Sequence, residues 1–159
     1  MNKLIIGNVC FLIDNKLNKV LLLERHFEPM KGLVTGVGGK TNFEEDIQAS
    51  CLREIFEETG LTAHSINLKA VVKTLLENEQ TSWLLFVYTC DEFSGQLRTC
   101  PEGRLFWQDI NTLQTTNLIG FIRSLLPYIF SDTGVFEGTI VHDKHGKVIE
   151  TFSNQPSTQ

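Results

Sequence analysis

The stretch GGKTNFEEDIQASCLREIFEETGL, Gly38 to Leu61, decides how the chain is read. Thr41 has Glu44 three residues on, and Asn42 has Glu45, so either pair can open a helix as a capping box. The helix is expected to run to Thr59, with Gly60 as the left-handed residue that ends it. Glu54, Glu57 and Glu58 are spaced i, i+3 and i+4 and so share one face, while Leu52, Ile55 and Phe56 are free to bury another. That acidic face is costly. Carboxylates at a helix C-terminus lose about 0.3–1 kcal/mol each to the macrodipole. At ~5 Å and an effective dielectric near 20 they repel by roughly 3 kcal/mol per pair. A solvated acidic face is one reading. A bound hard cation that reverses the sign of the repulsion is the other, and clustered carboxylates suit Mg²⁺ or Mn²⁺.

Outward from that helix, Leu4–Ile13 and Lys19–Glu24 read as strands joined by an Asp14-Asn15-Lys16 turn. A loop with Pro29 and Gly32 leads to a short extended segment, Leu33–Val37, and to the flexible Gly36-Val37-Gly38-Gly39. After the helix, residues 67–75 and 81–90 read as strands, and Leu105–Asp109 as another. Leu118–Phe130 carries helical spacing, with Asn117 a candidate N-cap and Pro127 expected to shorten the last turn. Val135–Val141 and Lys147–Phe152 flank a turn and suggest a terminal hairpin. Strands mixed with two helices predict an α/β domain over residues 1–152, followed by a polar, flexible tail at 153–159.

The bulk properties narrow the function. The chain has 159 residues and a net charge of −5, enough for one domain and without global attraction to a nucleic-acid duplex or an anionic membrane. No apolar run is long enough to span a bilayer, and no signal sequence is apparent, so a cytoplasmic protein is expected. Cys10, Cys51, Cys90 and Cys100 form no CxxC pair and read as reduced, buried thiols. No Ser-His-Asp order or phosphate-nucleophile cysteine suggests covalent catalysis.

Gly39, Glu45, Arg53, Glu54, Ile55, Glu57, Glu58, Gly60 and Leu61 match every fixed position of the Nudix box. The chain therefore resembles Nudix hydrolases. The resemblance implies an α/β/α sandwich with a mixed β-sheet between helices, and metal-dependent hydrolysis of a nucleoside diphosphate linked to another group. It implies Mg²⁺ or Mn²⁺ held by Glu54, Glu57, Glu58 and the Gly38 carbonyl. Glu54 or Glu102 would be the general base, with Arg53 orienting the glutamates and Glu45 pairing with Arg53. Val37–Lys40 (VGGK) and Pro101–Trp107 (PEGRLFW) resemble segments of the MutT-like branch, which cleaves oxidised purine nucleoside triphosphates such as 8-oxo-dGTP to a monophosphate and pyrophosphate. On that footing Arg25 and Lys40 are candidate phosphate contacts, and Thr35 and Asn117 candidate base contacts. Each has a plain alternative: Arg25 as a surface charge, Glu102 as a turn residue, Asn117 as a helix cap.

The chain departs from that branch where the base is read. Val34-Thr35 stands in place of a Trp-Asn pair, and residues 114–119 lack the tryptophan and acidic residues before the last helix. Trp83 and Phe86 read as core. Hydrolysis of ADP-ribose, a dinucleoside polyphosphate or capped RNA stays open, as does a non-catalytic nucleotide-binding module. The partner is expected to be a small nucleotide, and the resemblance permits a monomer or a homodimer.

Overall fold

The computed structural model describes residues 1–132 and 134–153; apart from Ser153, the tail expected at 153–159 lies outside the described residues. The strands are β1 (Lys3–Asp14), β2 (Lys19–Arg25), β3 (Val34–Thr35), β4 (Val37–Lys40), β5 (Leu61–Leu76), β6 (Thr81–Gly95), β7 (Gly103–Asp109), β8 (Phe136–His142) and β9 (Val148–Ser153). The helices are α1 (Ile47–Thr59) and α2 (Gly120–Ile129), with a 3-10 segment at Ile110–Thr115. The sheet runs β3-β2-β1-β6-β5-β8-β9, with β4 pairing β1 and β7 pairing β2. It is mixed: β1 lies parallel to β6 and β5 parallel to β8, and the other pairs are antiparallel.

Alternation along the strands sends side chains to two cores. Val9, Phe11, Val72, Leu85 and Val87 pack with Phe121, Ile122, Leu125 and Ile129 of α2. Cys10, Leu12, Leu21, Tyr88 and Cys90 pack with Cys51 and Ile55 of α1. One helix therefore covers each face, as the expected α/β layering requires. All four cysteines are free and buried. Among the described residues no helix is long and apolar enough to cross a membrane.

Several boundaries differ from the sequence reading. Helix α1 starts at Ile47, not at 41–42, because Asp46 is the cap and its carboxylate accepts from the Ala49 N–H at 3.0 Å. Glu45 still reaches back to the Asn42 N–H at 3.2 Å, so half of the expected capping box survives as a turn ahead of the helix. Leu52 and Phe56 were expected to bury a helix face but are 39% and 50% exposed, while Glu58 is 9% exposed. The inward stripe runs through Cys51, Ile55 and Glu58 instead, which places a carboxylate against the sheet. The Arg98 guanidinium covers Phe56 at 5.0 Å and donates to the Phe56 carbonyl at 2.9 Å, setting a cation at the helix end where the dipole favours one. Gly60, at φ 79°, closes the helix as expected.

Strand β5 begins six residues earlier than expected. Register shifts near Ala63, Ser65 and Leu68 break the two-residue period that would reveal it. Helix α2 begins at Gly120 behind Ile119, which caps with no side chain, so Asn117 is not its N-cap. Pro127 lies two residues before the end of α2, in line with its expected effect. Strands β8 and β9 form the expected terminal hairpin. Trp83 is half-buried at the margin of the α2-side core rather than inside it.

Candidate active site

Two backbone elements build the site: strand β4, made of Val37-Gly38-Gly39-Lys40, and the last two turns of α1. Gly38 pairs with Val9 and Gly39 with Asn8 in an antiparallel ladder. Neither glycine leaves room for a Cβ with its neighbours as they stand. A Cβ on Gly38 would collide with the Asn8 backbone carbonyl, and one on Gly39 would stand 2.5–2.7 Å from the Glu54 carboxyl atoms. The strand thus lies directly against the acidic helix face.

Arg53 organises that face. Its Nε and Nη2 donate to the two oxygens of Glu45 at 2.7 and 2.9 Å. Nη1 donates to Glu54 at 3.0 Å and Glu57 at 3.1 Å, and Nη2 also donates to the Lys40 carbonyl at 3.0 Å. One guanidinium fork therefore holds three carboxylates and the end of β4, a geometry that a lysine point charge does not reproduce. The Arg53 hydrogen bond holds the Glu45 carboxyl below its ordinary pKa. Glu54 is moved up, chiefly by burial, with Arg53 opposing and Glu57 and Glu45 adding repulsion.

Glu58 faces the other way, into the protein. Its Oε2 accepts the Gly38 N–H at 3.1 Å. Burial pushes its pKa up to about 8, with the Gly38 N–H and Arg25 opposing and Glu54 and Glu102 repelling. Charged groups from α1, β2 and the loop before β7 therefore act on one buried carboxyl. Arg25, at the end of β2, pairs with Gly103, and the His26 N–H donates to the Glu102 carbonyl at 3.1 Å, which brings Arg25 and Glu102 to one edge. The Arg25 Nε donates to the Pro29 carbonyl at 2.9 Å.

The remaining candidates are placed as follows. Thr35 is buried in β3 opposite Leu23. Asn117 is exposed, and its carbonyl accepts the Val34 N–H at 2.9 Å, so the Thr35 and Asn117 segments are stitched side by side. The Lys40 ammonium points away from the glutamates and stands 5.9 Å from the Trp83 ring centroid. Among the described residues no three His, Cys, Asp or Glu side chains converge closely enough to enclose an ion unaided; Glu57 turns outward to Arg53, its side chain 56% exposed.

A buried network escaped the sequence reading. Asn8 of β1 donates to Ser50 of α1 at 3.0 Å, and Ser50 lies 2.7 Å from the Thr41 hydroxyl. It ties strand, helix and intervening loop together. No spacing signal announces it, because three short polar side chains far apart in sequence carry no period.

A carboxylate-bearing helix docked on a glycine strand, with a mixed sheet between two helices, defines a loop–helix catalytic unit on an α/β scaffold. The NUDIX domain model matches residues 5–129, so the chain belongs to the Nudix family and is a hydrolase of pyrophosphate bonds. The Nudix hydrolase YvcI of Bacillus subtilis is 29% identical over 129 residues, 79% of this chain and 80% of that protein. An ADP-ribose pyrophosphatase of Methanocaldococcus jannaschii is 31% identical over 104 residues, 64% of this chain and 60% of that protein. An oxidized purine nucleoside triphosphate hydrolase of Danio rerio is 28% identical over 82 residues, 52% of this chain and 53% of that protein. A MutT protein structure from Bacillus halodurans shares the fold, with a TM-score of 0.84 at 23% identity over 96% of this chain and 99% of that one.

Proposed function

We propose that residues 1–152 act as a Mg²⁺- or Mn²⁺-dependent nucleoside triphosphate pyrophosphohydrolase of the MutT type, which releases a nucleoside monophosphate and pyrophosphate. The observation that carries the reading is the setting of Glu58: a buried carboxyl driven up to about 8, repelled by Glu54 and Glu102, beside a glycine strand. A divalent cation would offset that repulsion, and the donor set is all oxygen, which suits a hard ion. Glu54, Glu57 and Glu58 would hold it, with the Gly38 carbonyl. A strand residue turns its N–H and C=O to the same edge, and the Gly38 N–H already points to Glu58.

When bound, the ion would neutralise phosphate oxygens and lower the pKa of the attacking water. This chain's own residues do the rest. Arg53 fixes the rotamers of Glu54 and Glu57. Of the two candidates for general base, Glu54 is the better supported, because it lies against Gly39 and Arg53 fixes its carboxylate at 3.0 Å. Glu102 then contributes to the field at Glu58. Arg25 and Lys40 supply cations for the phosphate chain, and Thr35 and Asn117, adjacent through backbone hydrogen bonds, offer polar groups to the base. The Danio rerio relative supports a purine triphosphate, including an oxidised one such as 8-oxo-dGTP.

The Methanocaldococcus relative favours a second reading, ADP-ribose, through its printed activity. A substrate panel with Mg²⁺ separates the two. Pyrophosphate and monophosphate from nucleoside triphosphates, including 8-oxo-dGTP, support the first. Turnover confined to ADP-ribose, giving AMP and ribose phosphate, replaces it with the second.

A further inference from the structure

Gly7 is a glycine in the interior of a twelve-residue strand, a position that marks a close approach. A Cβ there would lie 2.8 Å from the Gly39 carbonyl oxygen and 2.8–2.9 Å from Cζ3 and Cε3 of Trp83. The missing side chain leaves room for an indole over β1. The Glu54 carboxyl crowds the Gly39 α-carbon, and the Gly39 carbonyl oxygen and the Trp83 benzo edge both border the space over Gly7. Gly7 and Lys40 are register partners, and the Lys40 ammonium stands above the same ring. Asn8, the next residue of β1, turns to Ser50 of α1, so Gly7 and Trp83 belong to the opposite face. The indole remains half-exposed there. Strand β1 lies between β6, which carries Trp83, and β4, whose glycines face the carboxylates, so a ligand extending from this aromatic surface to the glutamates passes over β1 and the edge of β4.

We infer that Trp83 is the stacking platform for the substrate's nucleobase, with the phosphate chain crossing the edge of β4 at Gly38–Lys40 to reach Glu54, Glu57 and Glu58. The inference rests on the nucleotide reading above and names a specificity-determining residue for it. An indole presents a broad apolar face that accepts any base, and base–aromatic stacking changes binding by about tenfold or more per base. Lys40, lodged over the ring, is positioned to leave it for a phosphate when the base arrives.

The test uses both tryptophans. Trp107 lies on the opposite core, stacked with Phe93 at 6.0 Å, so Trp107→Phe leaves Trp83 as the sole indole. In that background, GTP carrying an α,β-imido bridge, and separately ADP-ribose, should quench Trp83 emission in the presence of Mg²⁺. Tripolyphosphate, which has no base, should not. Trp83→Leu should raise KM for the nucleotides that are hydrolysed about tenfold with kcat within about twofold, while inhibition by tripolyphosphate stays unchanged. Trp83→Phe should restore most of the affinity. Absence of quenching by both base-bearing probes overturns the platform, as does a Leu variant with unchanged KM or with tripolyphosphate inhibition weakened in parallel. Failure to cleave triphosphates, with ADP-ribose still quenching Trp83, would remove the MutT reading and leave the platform standing.

Discussion

Gly38 donates its backbone N–H to the Oε2 of Glu58 across 3.1 Å. That contact joins the glycine strand to the last turn of α1 and removes a charged group from water at the end of a helix whose dipole already disfavours it. Glu58 alone would be a defect, buried between Glu54 and Glu102 with the Gly38 N–H and, more weakly, Arg25 in opposition. In the proposed function the same carboxyl would be a cation ligand kept dry and oriented.

Gly39→Ala should separate packing from folding. The new Cβ would meet the Glu54 carboxyl at 2.5–2.7 Å, the far end of a side chain able to swing aside, so the fold should survive with a Tm within a few degrees of wild type. Displaced from its Arg53 contact, Glu54 should then raise the Mg²⁺ concentration for half-maximal activity and lower kcat at least about tenfold, within the range seen for misplaced catalytic groups. Gly38→Ala should instead unfold part of the sheet, costing about 1–3 kcal/mol, because its Cβ faces the Asn8 backbone, which cannot give way. Unchanged Mg²⁺ titration curves for Gly39→Ala would show that Glu54 is not pinned by that strand.

Glu57→Gln keeps shape and removes one charge. Glu57 is exposed and, among the described residues, its carboxylate is bonded to Arg53 alone, so circular dichroism and thermal melting should be nearly unchanged. Mg²⁺-dependent pyrophosphate release should fall by about two orders of magnitude or more, the scale of losing one preorganised charge at a reaction centre. Chelation of the metal in the wild type should give a comparable loss, reversed by added Mg²⁺. Full turnover by the Gln variant would remove Glu57 from the metal set.

Arg53→Lys tests the fork. Arg53 makes five hydrogen bonds, to Glu45, Glu54, Glu57 and the Lys40 carbonyl. Lysine keeps the charge and loses the planar geometry, so two or more charge-assisted bonds disappear at about 1.5–3 kcal/mol each, partly recovered by solvent. The urea midpoint should drop, and kcat should fall more than KM rises if, as proposed, the residue orients the ligands without touching substrate. Equal changes in kcat and KM would assign it a direct binding role.

Part of the site could be read from the chain because it is written locally: Gly38 to Gly60 is one strand, one loop and one helix, and helical spacing brings Glu54 and Glu57 together under Arg53, whereas Glu58, expected on the same face, turns inward with Cys51 and Ile55. The same spacing misassigned Leu52 and Phe56, since periodicity identifies faces without saying which one meets the sheet; docking chose the face that carries Glu58. The cap at Asp46 was hidden by two better-looking capping boxes just upstream, one of which survives as the Glu45–Asn42 turn. Asn117 was read as a cap, yet its carbonyl serves β3 instead. Trp83 could not be placed from sequence, because its partners Gly7, Gly39 and Lys40 come from other strands, and only register brings them together.

His142 gives the fold a pH dependence away from the catalytic residues. Its ring is buried between β8 and α2, where Nε2 accepts the Phe121 N–H at 3.1 Å and Nδ1 lies 3.3 Å from the Leu75 carbonyl. Accepting at Nε2 and donating from Nδ1 requires the neutral imidazole. Burial lowers its pKa below the ordinary 6.5, with the Leu75 carbonyl and Asp143 opposing. The sign follows from proton counting. Between the lowered folded value and 6.5 the unfolded chain binds more protons than the folded one, so stability rises with pH across that window. His142 thus contributes its full stabilisation above about pH 6.5 and loses it as the pH falls toward the folded pKa. Glu58, raised to about 8, contributes the opposite slope, since the folded chain holds its proton up to that value, so the histidine is isolated by comparing two proteins. His142→Gln, which retains an acceptor for the Phe121 N–H and has no ionisable group, should start lower in urea midpoint at pH 7.5 and approach wild type as the pH falls from 6.5 toward 5.5. Parallel curves for the two proteins would mean that other groups set the acid limb, and that the hydrogen bond from Phe121 does not depend on the neutral ring.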